Sequence, residues 1–323
     1  MALEMSCAFA PSLETPEHVR LAEQLGFKRA YLYDSPALFP DVWVQLCRAG
    51  EITEKICLGP AVLVPSNRHV MTNAAAAATL ASIVGEDRVS LTVGTGFTAR
   101  LSMGKRPLRW SFVGEYVSAL RGLLRGETVE WDGAPIRMFH SPGFAPPRPL
   151  EIEVLIAAAG PKGIAVAEEH GDGAFGGLVP IPGFDRSPCL TFGTVLDQDE
   201  DASGARAWEA AAYAVPATAH WGIEFGGIEE MVPRGAEWAA AYDDVPAAER
   251  HLALHSLHLN GVNDRDRPFI DAELLVDMEL ALDREGWRAK LERLEEAGAS
   301  EVAFQPWSPD IPRELEAFAS LFD

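Results

Sequence analysis

The residues of this chain that could do chemistry fall in four short segments. Asp34-Ser35 sets a carboxylate beside a hydroxyl, and Gly94-Thr95-Gly96 is a tight polar turn; Gly160-Pro161-Lys162 reads as a helix start, and His251, His255 and His258 follow at spacings of four and three. A carboxylate can hold a proton or brace a loop, whereas a serine hydroxyl hydrogen-bonds but is a poor acid or base near neutrality. Asp34 therefore reads equally as a catalytic group with Ser35 or as an acceptor for loop N–H groups. The Gly-Thr-Gly turn lacks the third glycine of a dinucleotide fingerprint, so by itself it fits a plain turn as well. Gly160-Pro161-Lys162 is not a Walker loop, but it opens a helix whose free N–H groups and dipole favour an anion. Arg68, Arg100, Lys105, Arg106 and Arg109 lie in or just after neighbouring loops and concentrate cations where a phosphate could dock. The histidine spacing would align three rings on one helix face, as metal sites do. No carboxylate that could brace the rings is evident beside them, so no metal is assigned and His255 is read as facing a substrate. A serine hydrolase finds no support, since the chain has no G-x-S-x-G elbow.

Strand-like and helix-like segments alternate along the chain, the pattern of a parallel sheet with crossover helices. Strands are predicted at 5–10, 29–33, 56–64, 88–93, 151–157, 174–175, 190–196 and 301–305. Helices are predicted from an N-cap at Thr15, over 41–51, from near His69, over 111–126, over 161–170 and over 286–297, each with an apolar stripe or a cap. Eight strands make a (β/α)8 TIM barrel, here one domain over 1–323 with a hairpin insertion at 126–150 and a variable, mostly helical, substrate-side region at 180–285. The active site of such a barrel lies at the C-terminal strand ends, where the first three chemical segments fall. The run Ala74 to Ala78 lets another helix come close, either from a second copy in a homodimer or from the barrel itself.

Composition narrows the partners. With 48 acidic and 27 basic residues the net charge is −21, which argues against nucleic acid and anionic membranes. No 18-residue apolar run and no charged-then-apolar leader appear, so a soluble, cytoplasmic protein acting on a small molecule is expected. Cys7, Cys47, Cys57 and Cys189 form no C-x-x-C pair and read as reduced, buried side chains.

Three stretches taken together carry a family likeness. Gly26-Phe27 through Tyr33-Asp34, then Leu58-Gly59-Pro60-Ala61-Val62-Leu63-Val64-Pro65-Ser66-Asn67-Arg68-His69, then Asp87-Arg88-Val89-Ser90-Leu91-Thr92-Val93-Gly94-Thr95-Gly96 resemble the bacterial luciferase-like monooxygenase superfamily, especially its branch using the deazaflavin F420. Residues 157–173 and 297–306 extend the likeness, which leaves out roughly 180–285. The resemblance implies a TIM barrel with the cofactor ring at the strand ends and a non-prolyl cis peptide at Ala61–Val62 behind it. It also implies that Asp34, Ala61, Val62, Val64, Thr95 and Gly96 line the ring and its chain, with Ala159, Gly160 and Ile164 near the phosphate. Ala61, Val62 and Val64 read as well as barrel core. Two positions depart from the family pattern. Ser35 stands where many relatives have a histidine, and Phe97 stands where the sugar-phosphate dehydrogenase has a glutamate. The expected function is an F420-dependent oxidoreductase that moves a hydride to or from a small organic substrate, walled by Phe97, Trp110, Trp221, Phe225 and His255. An FMN-dependent monooxygenase and a cofactor-free binding protein on the same barrel are the alternatives.

Overall fold

The computed structural model describes residues 3–322. Eight parallel strands carry the fold: β1 (Glu4–Phe9), β2 (Arg29–Leu32), β3 (Cys57–Leu63), β4 (Ser90–Val93), then, after the hairpin β5 (Val129–Trp131) and β6 (Ala134–Ile136), β7 (Glu153–Ala157), β8 (Gly173–Phe175) and β9 (Pro188–Phe192). Past a second small sheet of β10 (Thr194–Val195) and β11 (Ala281–Leu282), β12 (Glu301–Gln305) completes the set. Their order is β8-β7-β4-β3-β2-β1-β12-β9, and a bridge between Gly176 and Cys189 joins the two ends, so the sheet closes into a barrel. The expected TIM barrel is what forms. The Ala61–Val62 peptide is cis, and so is Arg148–Pro149.

The outer layer follows the sequence signals. Between the first strands run α1 (Thr15–Gln24), α2 (Val42–Gly50), α3 (Val70–Val84) and the short α4 (Phe97–Leu101); α5 (Trp110–Arg125) and α6 (Gly160–His170) flank the hairpin. Asp41 caps α2 through the amides of Trp43 and Val44, and the His69 ring caps α3 through the amide of Met71. Thr15 is the first residue of α1 rather than its cap; its hydroxyl accepts the Ser12 amide at 2.7 Å. Ala74, Ala77 and Ala78 are fully buried, so one side of the small-residue run packs on the barrel, while Ala75 and Ala76 are half-buried.

The 205–277 region is a separate helical layer: α7 (Ala205–Ala211), α8 (Val215–Phe225), α9 (Ile228–Met231), α10 (Gly235–Ala240), α11 (Arg250–Leu254) and α12 (Ala272–Asp277), with its own apolar core around Tyr213, Trp238 and Tyr242. Two helices close the chain, α13 (Arg284–Glu296) and α14 (Ile311–Ala319), capped by Asp283 and Asp310. Most element ends shift by a residue or two from the sequence reading, and three differences go beyond that or have a clear cause. The strand expected over 190–196 breaks at Gly193, where a side chain would stand 2.1 Å from the Leu280 carbonyl, and its second half pairs with β11 instead. Arg88 belongs to a 3-10 turn before β4, and α14 was not foreseen. No helix among the described residues is long and apolar enough to cross a membrane.

All four cysteines are free. Burial raises the Cys7 thiol well above its ordinary value and pushes Cys57 and Cys189 up to about 12, while Cys47 is raised less. Since the thiolate is the nucleophile, native protein at pH 8 should titrate with a disulfide reagent at no more than one thiol, Cys47, and at all four after unfolding. Rapid labelling of Cys7 or Cys189 in the native state would contradict this packing.

Candidate active site

A cavity of about 440 Å³ opens at the C-terminal ends of the barrel strands, a size suited to a small ligand. Its floor comes from Ala61 and Val62 of β3, Gly94 after β4 and Ala157 of β7. The floor is flat because position 94 has no side chain: a Cβ there would stand 2.8 Å from Val62 Cγ1 and 3.1 Å from Ala157 Cβ. Gly96 sits in the left-handed region (φ 77°), and a Cβ there would come within 2.4 Å of Val64 Cγ1. The Gly94-Thr95-Gly96 turn is thus laid directly onto Val62 and Val64, which explains the glycines without a phosphate.

Asp34 and Ser35 form one wall. The Asp34 carboxylate takes Arg68 Nη1 at 2.7 Å and the Val64 amide at 3.3 Å, and its backbone carbonyl accepts Asn67 Nδ2 at 3.1 Å. Arg68 reaches on to Asp41, the cap of α2, at 2.6 Å. Both Asp34 oxygens are therefore engaged in fixing the β3–α3 loop, and Arg68, read from sequence as a free cation for phosphate, is part of that brace. Arg100 is likewise held, by Ser66 Oγ and the Arg106 carbonyl. The Ser35 hydroxyl has no partner among the described residues and lines the cavity.

Ala159 lines the cavity where α6 begins. Gly160 (φ 65°), Pro161 and Lys162 are exposed there, with nothing within 4 Å of a Cβ at Gly160, so the first turn of α6 is open to an anion. Ile164 lies one turn along and packs partly buried on the barrel core rather than lining the cavity. Trp110 forms another wall; its ring leans on Gly163, where a Cβ would stand 2.7 Å from Cζ2.

Over the mouth, Phe97 meets Trp221 at 4.8 Å and Phe225 at 5.8 Å between ring centroids, and Trp221 meets Phe225 at 4.8 Å. Trp221 and Phe225 are four residues apart on α8, so the helical layer presents one aromatic stripe to the barrel. All three rings line the cavity.

The histidines do not follow their spacing. The helix expected to carry them ends at Leu254, so His251, His255 and His258 do not share a face. His255 is buried and does not line the cavity; His258 does, with Nε2 at 3.1 Å from Thr98 Oγ1. Burial, followed by neighbouring His220 and His251, pushes the His255 imidazole down to about 4. Tyr33, Leu190 and Leu259 also line the cavity and were not foreseen. Tyr33 directly follows β2, where the strand-end rule points, and Leu190 lies on β9; nothing in the sequence marks Leu259. The Tyr33 hydroxyl donates to Gln305 Oε1 at 2.7 Å, and burial raises its pKa. The result is a largely apolar slot, open at its mouth, in which the Ser35 and Thr95 hydroxyls have no partner among the described residues.

Comparison with known proteins agrees with this architecture. A family model described as luciferase-like monooxygenase matches residues 10–186. An F420-dependent glucose-6-phosphate dehydrogenase of Intrasporangium calvum is 30% identical over 178 residues, 50% of this chain and 52% of the relative. A 5,10-methylenetetrahydromethanopterin reductase of Methanolobus tindarius is 32% identical over 167 residues, 50% of this chain and 49% of the relative. The chain thus spans about half the length of the curated relatives it matches. Among solved structures, the coenzyme F420 dependent tetrahydromethanopterin reductase from Methanopyrus kandleri superposes with a TM-score of 0.67 at 18% identity, covering 98% of this chain and 97% of the other, a likeness of fold. The family match begins at Ala10, just past β1, and ends at Arg186, just before β9, taking in the whole cavity floor: this chain belongs to the luciferase-like monooxygenase family.

Proposed function

We propose that this chain is an oxidoreductase that uses coenzyme F420 to move a hydride to or from a small organic substrate. The observation that carries the reading is the flat floor at Ala61, Val62 and Gly94 beside the open first turn of α6, which suits a planar ring with a phosphate at one end. The F420-dependent relatives support it. When bound, the deazaflavin supplies the ring carbon that gives or takes the hydride. The chain's own residues do the positioning. Ala61, Val62 and Val64 support one ring face, and Thr95 and Gly96 pass along its edge. Asp34 holds the β3–α3 loop in place through Arg68 and the Val64 amide, a positioning role rather than an acid's. Amides at Ala159 and Gly160 receive the phosphate. Phe97, Trp221 and Phe225 exclude water and favour an apolar substrate, and they offer no charge to a sugar phosphate. Tyr33 is bonded to Gln305 and His258 Nε2 to Thr98, which leaves the Ser35 and Thr95 hydroxyls; with Thr95 along the ring edge, Ser35 Oγ is the one to hold the substrate's exchangeable proton. The reading extends to one domain over the whole chain, to a soluble cytoplasmic protein, and to pairing of two copies through the half-buried Ala75 and Ala76 side of α3.

An FMN-dependent monooxygenase is the second reading, because the same floor accepts a flavin ring and the family's name is that of monooxygenases. Titration with F420 and with FMN, followed by fluorescence quenching, separates them. We expect micromolar binding of F420, weakened roughly 10-fold in Gly160→Asp by a negative charge at the α6 N-terminus. Binding of FMN alone would replace this reading with the second, and binding of neither would point to a cofactor-free binding protein.

A further inference from the structure

Behind the cavity wall the helical layer brings together three imidazoles that the cavity does not use as a group. His220 of α8, His255 just after α11 and His258 are 1%, 1% and 3% exposed. Their ring centroids are 5.8, 6.2 and 5.4 Å apart, taken pairwise. One nitrogen from each ring lies within 4.8 Å of the other two. The Nδ1 atoms of all three are buried without a hydrogen-bond partner, as is His255 Nε2. Leaving several such groups unpaired in one place is costly, and native proteins rarely do it.

Neighbouring residues prepare the rings as ligands. The Asp266 carboxylate, 1% exposed, accepts Trp238 Nε1 at 2.8 Å and the Tyr242 hydroxyl at 2.7 Å, and lies 3.1 Å from His220 Nε2. With donors all round the carboxylate, His220 donates its Nε2–H there and keeps its lone pair on Nδ1, the carboxylate–histidine arrangement that backs metal ligands. His258 places Nε2 against Thr98 Oγ1, which leaves Nδ1 free in the same way, and Glu224 Oε1 is 3.5 Å from His255 Nε2. The sequence spacing had suggested a different trio. His251 lies against Gly104, where a Cβ would meet its ring at 3.0 Å, and His220, distant in sequence, takes its place.

We propose that His220, His255 and His258 bind one divalent transition-metal ion of the zinc type, with the Asp266 carboxylate holding the His220 ring through Nε2. Three imidazoles suit such an ion and leave one tetrahedral position for water. Metal–nitrogen bonds of about 2.0–2.1 Å require the nitrogens to close to roughly 3.4 Å, which ring rotation can supply. The ion would tie α8, which carries Trp221 and Phe225, to the segment whose His258 and Leu259 form the opposite cavity wall. It would act as a clasp on the substrate side of the barrel, and it stands or falls independently of the cofactor.

Cobalt(II) tests this on the intact chain after chelator dialysis. The expected result is one equivalent bound below micromolar concentration, with visible d–d bands of tetrahedral, nitrogen-ligated cobalt that zinc bleaches. His220→Ala and His255→Gln should each weaken binding at least 100-fold and Asp266→Asn about 10-fold, with His251→Ala unchanged. Only pale, weak binding to the wild type, as surface carboxylates give, would overturn the proposal. So would equal affinity in folded His220→Ala or His255→Gln, and the wild-type titration decides alone if those variants fail to fold.

Discussion

Gly94→Val is expected to remove F420 binding while the barrel still folds. A Cβ at this position already meets Val62 Cγ1 at 2.8 Å and Ala157 Cβ at 3.1 Å, and both neighbours sit on barrel strands that cannot retreat far. The two γ-methyls of valine must then rise into the cavity, or Val62 must turn into it. Either outcome destroys the flat floor on which the ring face is proposed to rest. Affinity should fall at least 100-fold, about 2.7 kcal/mol, against an overpacking cost to stability of roughly 1–3 kcal/mol. Fluorescence titration beside a denaturation curve separates the two, and Gly94→Ala should fall in between. A Gly94→Val protein that folds and binds F420 as tightly as the wild type would move the ring seat elsewhere, whatever happens at Gly160.

Barrel geometry pointed to the strand-end loops, Gly94-Thr95-Gly96 among them, while Ala61 and Val62 were marked for the site only by the family resemblance and read from pattern alone as core. The parts that were not legible share a physical cause: they depend on contacts between residues distant in the chain. Arg68 looked like a free cation until the fold placed Asp34 and Asp41 against it. His251, His255 and His258 looked like one face until α11 stopped at Leu254, and the partner that completes the cluster, His220, arrives from another helix. Gly193 looked like part of a strand, yet the close Leu280 carbonyl turns the chain out of the barrel there. By contrast, α14 had a local signature, Asp310 as cap with Pro312 in the first turn, and could have been read. Family likeness reached the floor and the cis peptide but was silent on 180–285, the region that supplies two of the three mouth rings, Trp221 and Phe225, and the histidine cluster.

Glu301→Ala should cause the larger loss of stability, with no effect on the cavity. Glu301 opens β12 at the end of the barrel opposite the cavity and is fully buried. Its carboxylate receives Arg29 Nη1 at 3.1 Å, Arg186 Nη1 at 2.9 Å and the Tyr31 hydroxyl at 2.9 Å. Without it two largely buried guanidinium groups face each other, held only from their outer sides by Glu4 and Glu153. Removing one partner of a buried charge cluster costs about 3–5 kcal/mol, because the remaining charges stay desolvated. Glu301→Gln keeps an acceptor for Tyr31 and should lose less. Glu17→Ala, which breaks an exposed pair with Arg20, should change stability by about 0.5 kcal/mol or less. Urea denaturation of the three variants gives the ranking directly, and a Glu301→Ala loss no larger than that of Glu17→Ala would show that the cluster is solvated in solution. Conservation of ligand affinity in the folded Glu301→Ala fraction is the second expectation, since this face of a barrel carries stability and the opposite one carries the site.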